Sequence, residues 1–200
     1  MNLLRFFVLV AALAASVAAR PPNILVILAD DLGYSDIGVH GSKVVPTPHL
    51  DALAASGVRC TNGYVSAPIC APSRAGFMTG RYQTHFGFEH NPRVGDETKL
   101  GLPPEQRTLA DHLRGAGYAT GLVGKWHLGF SSAYVPQARG FDDYFGFLVA
   151  MHNFILHRDA QPRFEAAYSR NMIYRGRDLQ KNDGYTTDLF TDEAMAFMTR

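Results

Sequence analysis

Asn23-Ile24-Leu25-Val26-Ile27-Leu28-Ala29-Asp30-Asp31 carries the reading on which the fold turns. From Ile24 to Ala29 every side chain is apolar, the pattern of a strand buried on both faces of a parallel sheet. The run stops at two acids. Downstream, Thr47-Pro48 reads as an N-cap with proline at the first helical position. Leu50, Leu53 and Ala54 share one face, and Gly57 is the stop. Val58 to Val65 reads as a second strand, and Ser73 to Thr79 as a helix opened by Pro72 and closed by Gly80. A loop rich in Gly, Pro and His covers Arg81 to Arg107. Thr108 then caps a helix through Leu109 and Leu113 that Gly115 and Gly117 end, and a strand follows from Tyr118 to Trp126. Strands alternating with helices predict an α/β sandwich whose mostly parallel central sheet is flanked by helices. Ligands gather beyond the carboxyl ends of such strands, where Asp30, Asp31, Lys125 and His127 fall.

The two ends frame this domain. Residues 1–19 carry one early charge, Arg5, then an apolar and small-residue stretch ending in Val17-Ala18-Ala19. That is the pattern of a secretory signal peptide cleaved before Arg20, too short for a confident membrane span. Export follows, to the periplasm, the extracellular space or a lysosome according to the source, with no stable membrane insertion. At the other end Thr187-Asp188 starts an amphipathic helix bearing Leu189, Phe190, Ala194, Phe197 and Met198. No Gly or Pro closes it before Arg200, so the chain reads as cut short, although helices also end chains uncapped. Residues 20–200 thus read as one incomplete domain without repeat or linker. A net charge of +1 excludes a nucleic-acid-binding arm, and two cysteines, Cys60 and Cys70, are too few for a disulfide-stapled module. Cys60 reads as core.

Three clusters carry chemistry. Asp30 and Asp31, followed by Leu32-Gly33, are adjacent carboxylates that repel unless a cation compensates them. Oxygen donors suit calcium or magnesium, the alternative being a helix cap or solvated turn. Cys70 precedes a helix start and Arg74 lies four residues on, so thiol and guanidinium share one side of a first turn. A nucleophile of depressed pKa and a buried inert thiol both fit that placement. In Gly124-Lys125-Trp126-His127-Leu128-Gly129, alternate residues at a strand end share a face about 6.5–7 Å apart, aiming Lys125 and His127 into one cleft and Trp126 into the core. A cation beside a group that titrates near neutrality suits cleavage of an anionic ester.

Together these segments resemble the sulfatase family. Cys70-Ala71-Pro72-Ser73-Arg74, with Thr79-Gly80-Arg81 as its tail, is similar to the family's activation motif. Asp30-Asp31-Leu32-Gly33-Tyr34 and the Gly124–Gly129 block resemble flanking motifs in the same order. The resemblance implies an alkaline-phosphatase-like fold and hydrolysis of sulfate esters. It also implies that a formylglycine-generating enzyme, or an equivalent maturase, oxidises Cys70 to formylglycine. One hydroxyl of the hydrated aldehyde attacks sulfur and the other expels sulfate. Asp30, Asp31 and the modified Cys70 would hold calcium, Arg74 would steady the diol, Lys125 would bind sulfate, and His127 would assist elimination. The family's second metal pair and its further His and Lys have no counterpart after Gly129.

His152 falls where relatives often carry a polar substrate contact. His85, His90, His112 and His157 read as surface or structural. Ser73 reads as part of the maturase recognition motif. The expected substrate is a sulfated carbohydrate, with aryl sulfate as an assay substrate. Two other readings compete: a phosphomonoester or phosphonate hydrolase of the same fold, and a truncated glycan-binding relative without turnover.

Overall fold

The computed structural model describes residues 21–92, 101–156 and 172–200. The signal-peptide segment 1–19, part of the Arg81–Arg107 loop and His157 lie outside the described residues. The chain divides into two compact units, Met1–Arg59 and Cys60–Arg200.

In the first unit, helix α1 (Pro48–Ser56) starts where Thr47-Pro48 places it, with Gly57 at its C-cap. The Thr47 hydroxyl does not cap its own helix. It accepts the Gly38 N–H at 2.8 Å and donates to Asp51 Oδ1, which also accepts the Val39 N–H at 2.6 Å. Thr47 and Asp51 thereby fasten the 3-10 turn Gly38–His40 onto the first turn of α1. The Tyr34 and His40 rings stack at 4.1 Å, and Arg59 donates to the Val39 carbonyl. The expected strand at Asn23–Ala29 is absent. The segment is irregular and its side chains are exposed, Ile27 to 74%. An apolar run becomes a strand only when a neighbour satisfies its backbone groups, and none of the described residues forms a ladder with it. Leu50 and Leu53 are likewise exposed, and no residue from 21 to 59 is buried.

The expected Val58–Val65 strand is also absent. A turn at Thr61-Asn62, ahead of Gly63, interrupts it, consistent with the turn preference of Asn-Gly. Val58 is 92% exposed, and Cys60 is exposed rather than in the core. Beyond it lie the helices α2 (Cys70–Thr79) and α3 (Leu109–Gly115) and the strands β1 (Gly121–Lys125), β2 (Asp143–Phe147), β3 (Ile155–Leu156), β4 (Ile173–Arg175), β5 (Asp178–Gln180) and β6 (Gly184–Tyr185). Helix α4 (Thr186–Met198) closes the order. A four-stranded sheet runs β1-β2-β4-β5, and β3 pairs with β6 in a second sheet. Only β1–β2 is parallel; β2–β4 and β4–β5 are antiparallel, so the described sheet is mixed rather than mostly parallel. The tight link Gly176-Arg177 accounts for the β4–β5 hairpin, with Gly176 in the left-handed region.

Strand pleat sorts the core into two layers. Tyr144 packs with Ala71 and Ala75 of α2, Ala110 of α3, and Trp126, Leu128 and Phe141. Its neighbours Phe145 and Phe147 join Ile173 and Leu156, against Leu189 and Phe190 of α4. Helices therefore cover both faces of the sheet, the three-layer arrangement expected of an α/β fold. Gly124 and Gly146 are register partners in β1–β2, and a Cβ on Gly146 would run into the Gly124 carbonyl. Helix α3 carries the predicted Thr108 cap, completed by the Asp111 carboxylate accepting the Thr108 N–H. Near the end of α4 the Thr199 hydroxyl donates to the Met195 and Ala196 carbonyls. Arg200 pairs with Asp143 and Glu193, and Arg175 pairs with Glu193, tying α4 to the sheet.

Candidate active site

Cys70 is the first residue of α2, three positions earlier than the predicted helix start. It is a free, partly buried thiol. Arg74 lies one turn on, and its Nη1 donates to the Lys125 carbonyl at 2.9 Å. The bond docks the helix that carries the thiol onto the carboxyl end of β1. Ala71 and Pro72 behind the thiol are buried, so α2 cannot slide along the sheet without opening the core. Gly80 ends the helix at φ 63°, the left-handed cap that its sequence position predicts.

Sequence reasoning missed Asn91. Its Oδ1 accepts the Ala71 N–H at 2.9 Å, and its Nδ2 lies 3.4 Å from Cys70 Sγ. Ile69 at the N-cap offers α2 no side-chain bond, so Asn91 caps it from 20 residues away. Cap signals are sought next to a helix start, where nothing pointed to this residue.

At the end of β1, Trp126 is buried as predicted. Its ring meets Phe141 edge-on at 5.9 Å and its indole N–H donates to the Tyr134 carbonyl. The strand alternation that was to aim Lys125 and His127 alike stops short of His127, which sits at φ 59° in the left-handed region. A positive φ is uncommon outside glycine, although His adopts it more readily than most residues, and it ends the regular pleat. Lys125 is half-buried, whereas His127 is 1% exposed and its backbone N–H donates to the Leu148 carbonyl. The two residues share a strand end and differ in burial.

His152 reaches the same edge through Phe147, the register partner of Lys125. Its ring stacks on Phe147 at 4.7 Å, and Nδ1 donates to the Asn153 carbonyl. Burial holds its pKa below the ordinary imidazole value, against opposing hydrogen bonds to the Asn153 and Met172 backbones. His85, His90 and His112 lie at the surface.

Asp30 and Asp31 end the irregular apolar run in the first unit. Asp31 sits in the left-handed region at φ 56°. Among the described residues no three His, Cys, Asp or Glu side chains form a group able to hold a metal ion. The donor chemistry of this exposed pair still fits a hard cation, as two of the six to eight oxygens that calcium takes. A cleft of about 460 Å³ is lined by Arg107, Asp111, Arg114 and Arg139 and contains none of these site residues.

The sulfatase family profile matches residues 22–200, taking in both units and all three motif blocks. The chain belongs to the sulfatase family. Among sulfatases it is 48% identical over 142 residues to steryl-sulfatase of Mus musculus, covering 66% of this chain and 23% of that protein. It is 35% identical over 201 residues to N-acetylgalactosamine-6-sulfatase of Sus scrofa, covering 95% of this chain and 38% of the relative. The crystal structure of Ps i-CgsB matches with a TM-score of 0.82 at 36% identity, over 90% of this chain and 42% of that one. A second structure of that protein contains k-i-k-neocarrahexaose. The chain thus spans between about a quarter and two-fifths of the length of these relatives. Its alkaline-phosphatase-like fold class agrees with the layered α/β arrangement of the second unit. Among the described residues no helix is long and apolar enough to cross a membrane.

Proposed function

We propose that this chain is the N-terminal part of the catalytic domain of an exported sulfatase, preceded by a signal peptide at residues 1–19, that hydrolyses sulfate esters of carbohydrates. One observation carries the reading: Arg74, one turn after Cys70, is bonded to the backbone of Lys125. The activation motif and the Gly124–Gly129 block, far apart in sequence, thereby meet at one strand end.

Maturation would convert Cys70 to formylglycine in a two-electron oxidation at Cβ that releases the sulfur as sulfide, with the oxidant supplied by the maturase. When formed, this group supplies a hydrated aldehyde as nucleophile. Calcium, held in part by Asp30 and Asp31, would supply a Lewis acid for the oxyanion. Lys125 brings a cation to the sulfate. Arg74 is held by the Lys125 carbonyl, which fixes the guanidinium beside the first turn of α2. His127, buried at the strand end, would hydrogen-bond the diol and assist elimination of the sulfate. His152, whose ring stacks on Phe147, would contact the sugar ring.

Sulfated carbohydrate is favoured as substrate by similarity to N-acetylgalactosamine-6-sulfatase and to Ps i-CgsB, which has been crystallised with an oligosaccharide. The test is to co-express the full-length protein with a formylglycine-generating enzyme and to analyse the Cys70 tryptic peptide by mass spectrometry. Turnover of aryl sulfate, aryl phosphate and sulfated oligosaccharide is then compared. An aldehyde together with preferred sulfate release is expected. An unmodified thiol under conditions that activate a control sulfatase would overturn the nucleophile, and faster phosphate turnover would overturn the reaction.

A further inference from the structure

Asn91 has two jobs at the start of α2. Its Oδ1 takes the Ala71 N–H at 2.9 Å, which settles the orientation of the amide: oxygen toward the backbone donor, NH2 toward Cys70. Nδ2 then stands 3.4 Å from Sγ, closer than the 3.7 Å between Sγ and Oδ1. The segment bearing Asn91 is itself anchored. Phe88 is buried and its N–H donates to the Gln83 carbonyl, while the buried Gln83 donates to the Ser66 carbonyl. Asn91 is therefore a rigid arm from a second part of the chain, bonded at once to the backbone of α2 and to the side chain that α2 presents.

Resting on the proposed conversion of Cys70 to formylglycine, we propose that Asn91 is the positioning residue of the nucleophile. Its amide NH2 donates to the oxygen that replaces the Cys70 sulfur, and its amide oxygen holds the first turn of α2 beneath it. The sulfur stands in for that oxygen, since both are attached to the same Cβ. A fixed donor selects one rotamer of a small, freely turning side chain, and a nucleophile held in one orientation avoids an entropic loss at the transition state. Asn is neutral across the working pH range, so the contact persists without competing with the site's cations for the sulfate.

The test uses the full-length protein matured with a formylglycine-generating enzyme, comparing wild type with Asn91→Asp and Asn91→Ala. Asp keeps an acceptor for the Ala71 N–H but loses the donor and adds charge; Ala loses both contacts without adding charge. Aldehyde content by mass spectrometry, thermal midpoint, kcat and KM on an aryl sulfate, and the rate of oxime formation with an aminooxy probe are read on each. The probe condenses with the aldehyde and releases water, so it reports how freely the carbonyl is available independently of sulfate turnover. With equal aldehyde content, both variants are expected to lose kcat by about 10- to 100-fold with KM within about twofold. Oxime formation should quicken about fivefold as the donor is lost. Only Asn91→Ala should lower the thermal midpoint. Wild-type kcat and oxime rate in both variants would reduce Asn91 to a helix cap and overturn the proposal. Absence of the aldehyde from the wild-type protein would overturn the proposed function itself, a result distinct from unchanged variants of an aldehyde-bearing enzyme.

Discussion

The two units solve opposite problems with similar sequence material. Residues 21–59 include an apolar run, Ile24–Ala29, yet bury none of their side chains and are tied by short-range polar bonds such as Thr47–Asp51 and Asp51–Val39. Residues 60–200 place Trp126, Tyr144, Leu128 and Ile173 at 1% exposure or less between helices and sheet. Hydrophobic content is therefore not what separates them. The second unit has strands whose register lets alternate residues face two helical layers, and the first has no ladder among the described residues.

The largest effect should come from the chemistry seated on the packed unit. Cys70→Ala in the matured full-length protein is expected to abolish sulfate-ester turnover, and Lys125→Ala to lower it by about a hundredfold or more, with both variants still folding. Circular dichroism and steady-state kinetics check both. Full turnover by the Lys125 variant would sever the link between the packed strand end and the sulfate.

Next comes packing itself. Trp126→Ala should cost about 4 kcal/mol, since the indole is enclosed and its N–H is bonded to the Tyr134 carbonyl. Chemical denaturation measures it. A loss below about 1 kcal/mol would show that the site collapses around the cavity.

A smaller effect depends on pH. The His152 pKa is lowered by burial, so between its folded value and the ordinary 6.5 the unfolded chain binds a proton that the folded chain does not. Stability attributable to this group is therefore present above 6.5 and lost as pH falls through that window. Thermal midpoints at about pH 5 and about pH 7.5 should differ more in wild type than in His152→Gln. Equal slopes would mean that the ring is open to water in solution.

The smallest effect tests the open unit. In the 200-residue chain, Ile27→Ala and Val58→Ala should each change stability by less than about 0.5 kcal/mol, because both side chains are mostly exposed. A loss of about 2 kcal/mol or more from Ile27→Ala would show that the run is buried in solution, and the contrast between the units would disappear.

Elements whose signals lie within one turn of the chain were legible beforehand. Thr47-Pro48 and Gly57 bound α1 and Gly80 ends α2 through local backbone preference, and the Thr108–Asp111 box opens α3 with hydrogen bonds that close within three residues. The strand at Gly121–Lys125 and the buried Trp126 were legible for a similar reason, as was the family, through motif order. Asn23–Ala29 was misread because an apolar run expresses a demand for burial and cannot name the partner that meets it. The bond from Asn91 to the start of α2, the bond from Arg74 to Lys125 and the left-handed turn at His127 had no local signal. Each depends on residues brought together over 20 to 51 positions, or on a strand that ends one residue early. Caps and turns are settled by sequence because their hydrogen bonds close locally. The geometry around Cys70 is settled by tertiary packing, because the groups that orient the thiol belong to segments that meet only when the core forms.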